Sequence, residues 1–244
     1  MYLSRLILDP RSRDVRRDLA DCHSMHRTLM MSFPNSRGHH VSPRAHYGLL
    51  FRVEFDKRTQ LPIIYAHSRK KPDWTLLPEG YLATDPARRE NPACKDVDHA
   101  YSAIYEGQML AFTLKANPTR KIGTALKTER LSDMPKSNGR RVYLARENEQ
   151  LEWLTRKGEQ HGFRILTAGF SSQVLDATVD SQGIVRGRKQ IGDEKSFADL
   201  TFRGCTFRGR LQVTDKCKFI DALATGIGSG KSFGFGMLSI APAR

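Results

Sequence analysis

Five of the eight histidines, His23, His26, His39, His40 and His46, fall between positions 23 and 46 of a 244-residue chain. His23 and His26 are three apart, so on a helix they share a face. Arg27 is adjacent to His26 and one turn from His23. Imidazole titrates near neutrality and can give or take a proton at physiological pH. On RNA such groups have a definite use. A base that removes the proton of a 2′-hydroxyl lets that oxygen attack the adjacent phosphorus, and an acid protonates the departing 5′-oxygen. Each transfer typically contributes about 10²–10⁴-fold. A nearby Arg or Lys stabilises charge on the transition state, and no metal is needed. Packing is the competing use. In one continuous helix from Pro10, His26 falls on the stripe of Val15, Leu19, Cys22 and Phe33, as a core histidine would. A helix restart at Asp21, a good N-cap, would rotate the register. Metal ligation is the weakest of the three uses, because no acidic cluster accompanies the histidines.

A second chemistry-bearing stretch is Thr225-Gly226-Ile227-Gly228-Ser229-Gly230-Lys231-Ser232. It is not a P-loop, because that motif requires Gly where Thr225 stands and opens a helix after a strand. Here a helical pattern precedes the glycines and a strand pattern follows, so a nucleotide cofactor is not expected. Two readings remain for the glycines up to Gly234 and Gly236. Backbone without side chains lets a bulky partner approach and forms an anion-binding concavity, with Lys231 beside it. Alternatively the stretch is a tight helix-to-strand turn with no ligand.

Lys plus Arg total 40 against 26 Asp plus Glu, a formal charge of +14. Such a balance favours a polyanionic partner, nucleic acid before an anionic membrane. The charge is clustered. Thr113–Arg146 contains Lys115, Arg120, Lys121 and six further cations but only Glu129 and Asp133 as acids. Ile184–Arg210 is also basic and includes Arg186, Arg188 and Lys189. No amphipathic helix of membrane-binding type and no run of about 20 apolar residues is present, so no membrane partner is expected. Arg5 and Asp9 interrupt the apolar N-terminus too early for a signal peptide, which predicts a cytoplasmic protein. Cys22, Cys94, Cys205 and Cys217 form no C-x-x-C pair and read as small buried hydrophobes.

The elements that must position these residues come in two similar sets. Tyr2–Leu8 reads as a strand, followed by a helix from Asp9-Pro10 that ends at Pro34–Gly38. Tyr47–Phe55 and Leu61–Ala66 form a hairpin, and residues 68–100 an irregular excursion. Gln108–Leu114 is a strand. The pattern restarts with a strand at Arg140–Ala145 and a helix at Asn148–His161. Strands follow at Phe163–Ala168, Gln173–Thr178, Gly183–Lys189 and Cys205–Val213, then a helix at Lys216–Ala224 and a strand at Met237–Ala241. The pattern predicts an α+β chain of tandem ferredoxin-like βαββαβ units. The expected divisions are 1–114, a basic linker at 115–139, and 140–244. The second helix of the first unit is not visible.

Three segments together resemble one known family. They are YLSRLILDPRSRDVRRDLAD with MHRTL in residues 2–29, FTLKANPTRK at 112–121, and FRGRLQVTD with GIGSGKSFGFGMLSI in 207–240. In this order they closely resemble the CasE family of CRISPR repeat-processing endoribonucleases, subunits of the type I-E Cascade complex, with RAMP-type tandem ferredoxin-like domains. The resemblance implies binding of the CRISPR repeat RNA hairpin and one metal-independent cut at the stem base. That cut leaves a 2′,3′-cyclic phosphate and a 5′-hydroxyl, and the enzyme stays on its crRNA with other Cascade subunits in antiviral defence. It also implies that His26 is catalytic, that His23 occupies the place of a frequent tyrosine, and that Gly226, Gly228, Gly230, Lys231 and Gly234 lie near RNA. Beyond the resemblance, Arg13, Arg16, Arg17, Lys115, Arg120 and Lys121 are expected to track phosphates along a cleft with Arg27. A basic hairpin bearing Arg186, Arg188 and Lys189 is expected to enter a groove of the stem. The alternative is a non-catalytic RNA-binding subunit of a ribonucleoprotein.

Overall fold

Two antiparallel sheets carry the same strand order in the computed structural model, which describes residues 1–34, 46–84, 90–121, 141–169, 174–191 and 196–243. The first unit runs β1 (Tyr2–Ile7), α1 (Arg13–Ala20), α2 (Cys22–Met30), β2 (Leu50–Phe55), β3 (Pro62–Ser68) and β4 (Ala93–Asp96). Its sheet order is β2-β3-β1-β4. The hairpin between β2 and β3 forms because the Asp56 carboxylate accepts from the backbone N–H groups of Arg58 and Thr59, at 3.0 and 2.9 Å. Between β3 and β4 the only helical turn among the described residues is a 3₁₀ turn at Trp74–Leu76. Residues 68–100 are more ordered than their sequence suggests. They supply β4, which edges the sheet beside β1, and the short α3 (Asp98–Ser102). Elements of four and five residues are too short to show a period.

The second unit comprises β5 (Met109–Ala116), α4 (Glu147–Gln160), β8 (Phe163–Ile165), β10 (Ser196–Val213), α5 (Lys216–Thr225) and β11 (Leu238–Pro242). Its order, β11-β5-β10-β8, matches that of the first sheet read from its last strand. A small ribbon of β6 (Thr119–Lys121) and β7 (Arg141–Tyr143) precedes α4, and β9 (Ala177–Ile191) pairs along β10. Both sheets thus have the ferredoxin-like order, with the first strand in the interior.

The strand at 109–114, counted with the first unit in the sequence, instead opens the second. It pairs from Met109↔Gln212 to Ala116↔Cys205 with β10, and with β11 on its other side. The alternation of Leu110, Phe112 and Leu114 identifies a strand, but its partner lies about 90 residues away and only packing selects it. The basic stretch 115–139 therefore begins inside a strand of the second unit, and residues 122–140 lie outside the described residues. The two strands expected at 173–178 and 183–189 are one, β9, which continues through Gly183 at φ +70°. The apolar faces fill two cores. One centres on Leu6, Val15, Met25, Leu29 and Phe51, the other on Leu114, Trp153, Phe207, Leu211 and Phe219. Each such side chain, fully buried, contributes roughly 1.5–3 kcal/mol. Cys22 and Cys205 are buried as expected and Cys94 partly so, but Cys217 is exposed on the outer side of α5. No described helix is long and apolar enough to cross a membrane.

Candidate functional site

The histidine helix does restart at Asp21. Its backbone is extended (φ −131°, ψ 105°), and its carboxylate accepts from the N–H groups of His23 and Ser24 at 2.8 and 3.3 Å. Such a cap stabilises a helix by about 1 kcal/mol. The break turns Cys22, Met25, Thr28 and Leu29 inward and leaves His23 and His26 half-buried on the flank, with Arg27 exposed. The chain does contain a core histidine, at position 67. His67 is 2% exposed and its pKa is pushed down to about 4 by burial.

The two flank histidines sit where the units meet. The His26 ring stacks toward Phe51 of β2, with centroids 6.4 Å apart and planes 14° apart. The His23 ring lies 6.3 Å from Phe233, which belongs to the loop between α5 and β11. In that loop Gly226, Gly228, Gly230, Gly234 and Gly236 all have φ between +77° and +85°. Gly234 shows the cost of any other residue. A Cβ there would meet Phe51 Cε2 at 3.3 Å, in a conformation that L side chains rarely adopt. The loop's own turn and its packing on Phe51 account for glycine at this position. β9 forms the other wall. A Cβ on Gly187 would lie 2.7 Å from Cys22 Sγ and 3.2 Å from His23 N, so only glycine fits between strand and helix. The Arg188 N–H approaches Asp21 Oδ1 at 3.4 Å.

The electrostatics set the resting state of His23. Burial lowers its pKa most, Asp21 opposes, and Arg27 and Lys189 lower it further. Its Nδ1 is buried with no hydrogen-bond partner among the described residues. Protonating such a ring would bury an unsatisfied N–H, so the neutral form that accepts a proton is favoured.

The cations separate into groups that the sequence does not distinguish. Arg27 and Lys189 flank His23 electrostatically, and Arg186 and Arg188 are exposed along the same β9. Arg188 also sits 3.4 Å from Asp199 and 5.3 Å over the Phe197 ring. Arg13 and Arg16 are exposed on α1. Arg17 is engaged as a strut. It pairs with Asp14 at 2.6 Å and with buried Asp18 at 2.9 Å, and Asp18 also accepts from Tyr81 Oη at 2.9 Å. Lys115 is half-buried, 5.8 Å from the Phe235 centroid, with its pKa lowered first by burial. Arg120 on β6 stands 3.8 Å from Glu149, and Lys121 ends the same strand, exposed.

A cleft of about 530 Å³ joins the units, bordered by Met25, Phe51, Arg52, Lys115, Arg208, Phe233 and Gly234. Arg52 spans it, holding Glu54 at 2.6 Å and donating to Ser239 Oγ of β11. Phe51, Arg52 and Phe233 are site residues the sequence reading missed. The alternating Phe-Gly-Phe-Gly of 233–236 is the signal that marks Phe233. His39 and His40 lie outside the described residues, and His46 packs edge-on to Tyr47 at 4.7 Å. Among the described residues no group of three or more His, Cys, Asp or Glu is placed to hold a metal ion.

A family model described as CRISPR associated protein matches residues 1–242. The CRISPR-associated endoribonuclease Cse3 of Thermus thermophilus is 33% identical over 99% of this chain and 100% of its own length. The CRISPR system Cascade subunit CasE of Escherichia coli is 31% identical over the same shares. A solved CRISPR endoribonuclease Cse3 bound to a 19-nucleotide RNA superposes with a TM-score of 0.76 at 30% identity, covering 99% of this chain and all of that one. With a histidine pair set on the seam of two ferredoxin-like units, and with these full-length likenesses, the chain belongs to the CRISPR-associated protein family.

Proposed function

We infer that the chain is a CRISPR repeat endoribonuclease. It binds the repeat hairpin of a precursor transcript, cuts once at the stem base, and stays on its crRNA as a Cascade subunit in the cytoplasm. The observation that carries this reading is the Asp21 break, which takes His23 and His26 out of the core and turns them toward the seam. The full-length likeness to Cse3 and CasE supports the substrate.

The RNA brings its own nucleophile. Neutral His23 suits the proton-accepting step at the 2′-hydroxyl, and His26 the delivery of a proton to the 5′-oxygen. The new O2′–P bond closes the 2′,3′-cyclic phosphate as the P–O5′ bond breaks and leaves a 5′-hydroxyl. Arg27 and Lys189, whose charges are felt at His23, stabilise negative charge on phosphorus. The first unit supplies proton transfer, while the second supplies the ribbon of Arg186, Arg188 and Lys189 and the glycine-rich loop with Lys231. Phosphates along the stem contact Arg13, Arg16, Lys115, Arg120 and Lys121, whereas Arg17 holds α1 in place. Incubation with repeat RNA in excess chelator tests this reading. The expected outcome is full cleavage with cyclic phosphate ends, and none when the attacking 2′-hydroxyl is replaced by hydrogen. Arrest by chelator, or cutting of the deoxy substrate, would refute it.

A further inference from the structure

The glycine-rich loop borders a second cavity, of about 340 Å³, which the reaction does not use. Thr119, Arg141 of β7, Arg156, Lys157 and His161 at the end of α4, and Lys231 of the loop line it. Four of these six side chains are permanently cationic at neutral pH, and none is an acid. Among the described residues, Arg141, Arg156 and Lys157 form no ion pair. Arg141 donates to Thr119 Oγ1 at 3.3 Å and Lys157 to Gln160 Oε1 at 2.7 Å, both neutral acceptors. The crowding shows in the electrostatics. Burial lowers the pKa of Lys157, and Arg156 and Arg141 lower it further. His161 is lowered by burial, then by Lys157 and Lys231, against Asp221.

Cations in the last turn of a helix offset its dipole, which is worth about 0.3–1 kcal/mol. That accounts for Lys157. It does not account for Arg141 and Lys231, which reach the same cavity from a strand and a loop. Arg141 from a strand and Arg156 and Lys157 from a helix are like charges that repel unless an anion joins them. Guanidinium forks fit phosphate oxygens in pairs.

We propose that this cavity is a second phosphate site, which holds the single-stranded flank of the transcript after it leaves the stem. The proposal rests on the endoribonuclease reading and extends it to Arg141, Arg156 and Lys157. Shape selects the single strand. A duplex presents its phosphates on a stiff outer ridge, whereas an unpaired strand can bend a phosphate into a concave, basic pocket. Trp153 is buried at the cavity wall beneath Gly228, so its ring does not stack a base there and the cationic side chains contact the backbone.

The test measures affinity of the full chain for uncuttable RNAs carrying hydrogen at the attacking position: the repeat hairpin alone, and the hairpin with a short unpaired extension on either side. One extension tightens binding to the unaltered protein. The double change Arg156→Gln with Lys157→Gln abolishes that gain, a loss of about tenfold, and leaves the bare hairpin's affinity unchanged. The double change Arg156→Lys with Lys157→Arg retains it. The salt slope for the extended RNA falls by about 0.7 per lost phosphate contact. The proposal is overturned if neither extension tightens binding, or if the Gln variant weakens all RNAs equally, which would place the duplex at the cavity. Absence of any hairpin binding by the unaltered protein would instead remove the endoribonuclease reading beneath it.

Discussion

The two units share one strand order and put it to different uses. Among its described residues the first has only a 3₁₀ turn where its second helix would stand, and it carries the two half-buried histidines on α2. The second keeps both helices and adds a long two-stranded ribbon and a loop of five positive-φ glycines. On the proposed reading, proton transfer falls to the first unit and most of the grip on RNA to the ribbon and glycine-rich loop of the second. The proposed site lies at the contact between them: Asp21 and His23 against Gly187 and Phe233, and His26 beside Phe51. Neither unit alone makes the proposed site; the seam between two units of one strand order does.

If this division holds, changes to the histidines of α2 damage rate and spare binding. The largest effect is expected from His26→Ala, which lowers single-turnover cleavage by about 10²–10⁴-fold with hairpin affinity nearly unchanged. Gel-shift and cleavage assays on one preparation check both halves of that statement, and a parallel loss of binding would dissolve the distinction. Gly187→Val attacks the seam from the other side. Its side chain enters the space of Cys22 Sγ, 2.7 Å from the Cβ position, and must push β9 off α2. Overpacking of this kind costs about 1–3 kcal/mol, read as a lower thermal midpoint, and cleavage falls more than hairpin affinity does. Asp21→Ala removes the cap and is expected to cost about 1 kcal/mol of stability, with a drop in rate because His23 loses its fixed backbone.

The smallest effect sharpens the comparison through pH. The His23 pKa is lowered, so its neutral form persists below the ordinary imidazole range and activity falls only in more acid solution. Lys189→Gln removes a cation of the second unit that pushes this value down. The acid limb of the pH–rate profile then moves upward, toward the ordinary imidazole value. An unmoved limb would show that the ribbon does not govern the first unit's chemistry.

Much of the site was legible because it rests on local rules. An acid before a helical run marked the restart at Asp21, and the three-residue spacing put His23 and His26 on one face. What escaped was non-local. β5 alternates like any strand, and its place in the second sheet follows from Phe207 and Leu211, far along the chain. Gly183 reads as a break, yet β9 passes through it because β10 continues to pair on either side. Arg17 looks like the other arginines of its segment, but Asp18 is buried by Tyr81 and draws the guanidinium inward. The five loop glycines announced a tight backbone, and only the folded chain shows that Phe51 packs against one of them.

The Asp21 carboxylate belongs to the first unit, yet one of its oxygens serves His23 N and approaches the Arg188 N–H of the ribbon. On the proposed reading, a single anionic oxygen touches both the part that recognises a transcript and the part that breaks it. If the ribbon shifts as it engages a misfolded or unrelated RNA, that oxygen loses a donor and the nearby imidazole its alignment. Fidelity would then be written into the joint itself: a poorly seated strand is held by a machine whose blade is out of true.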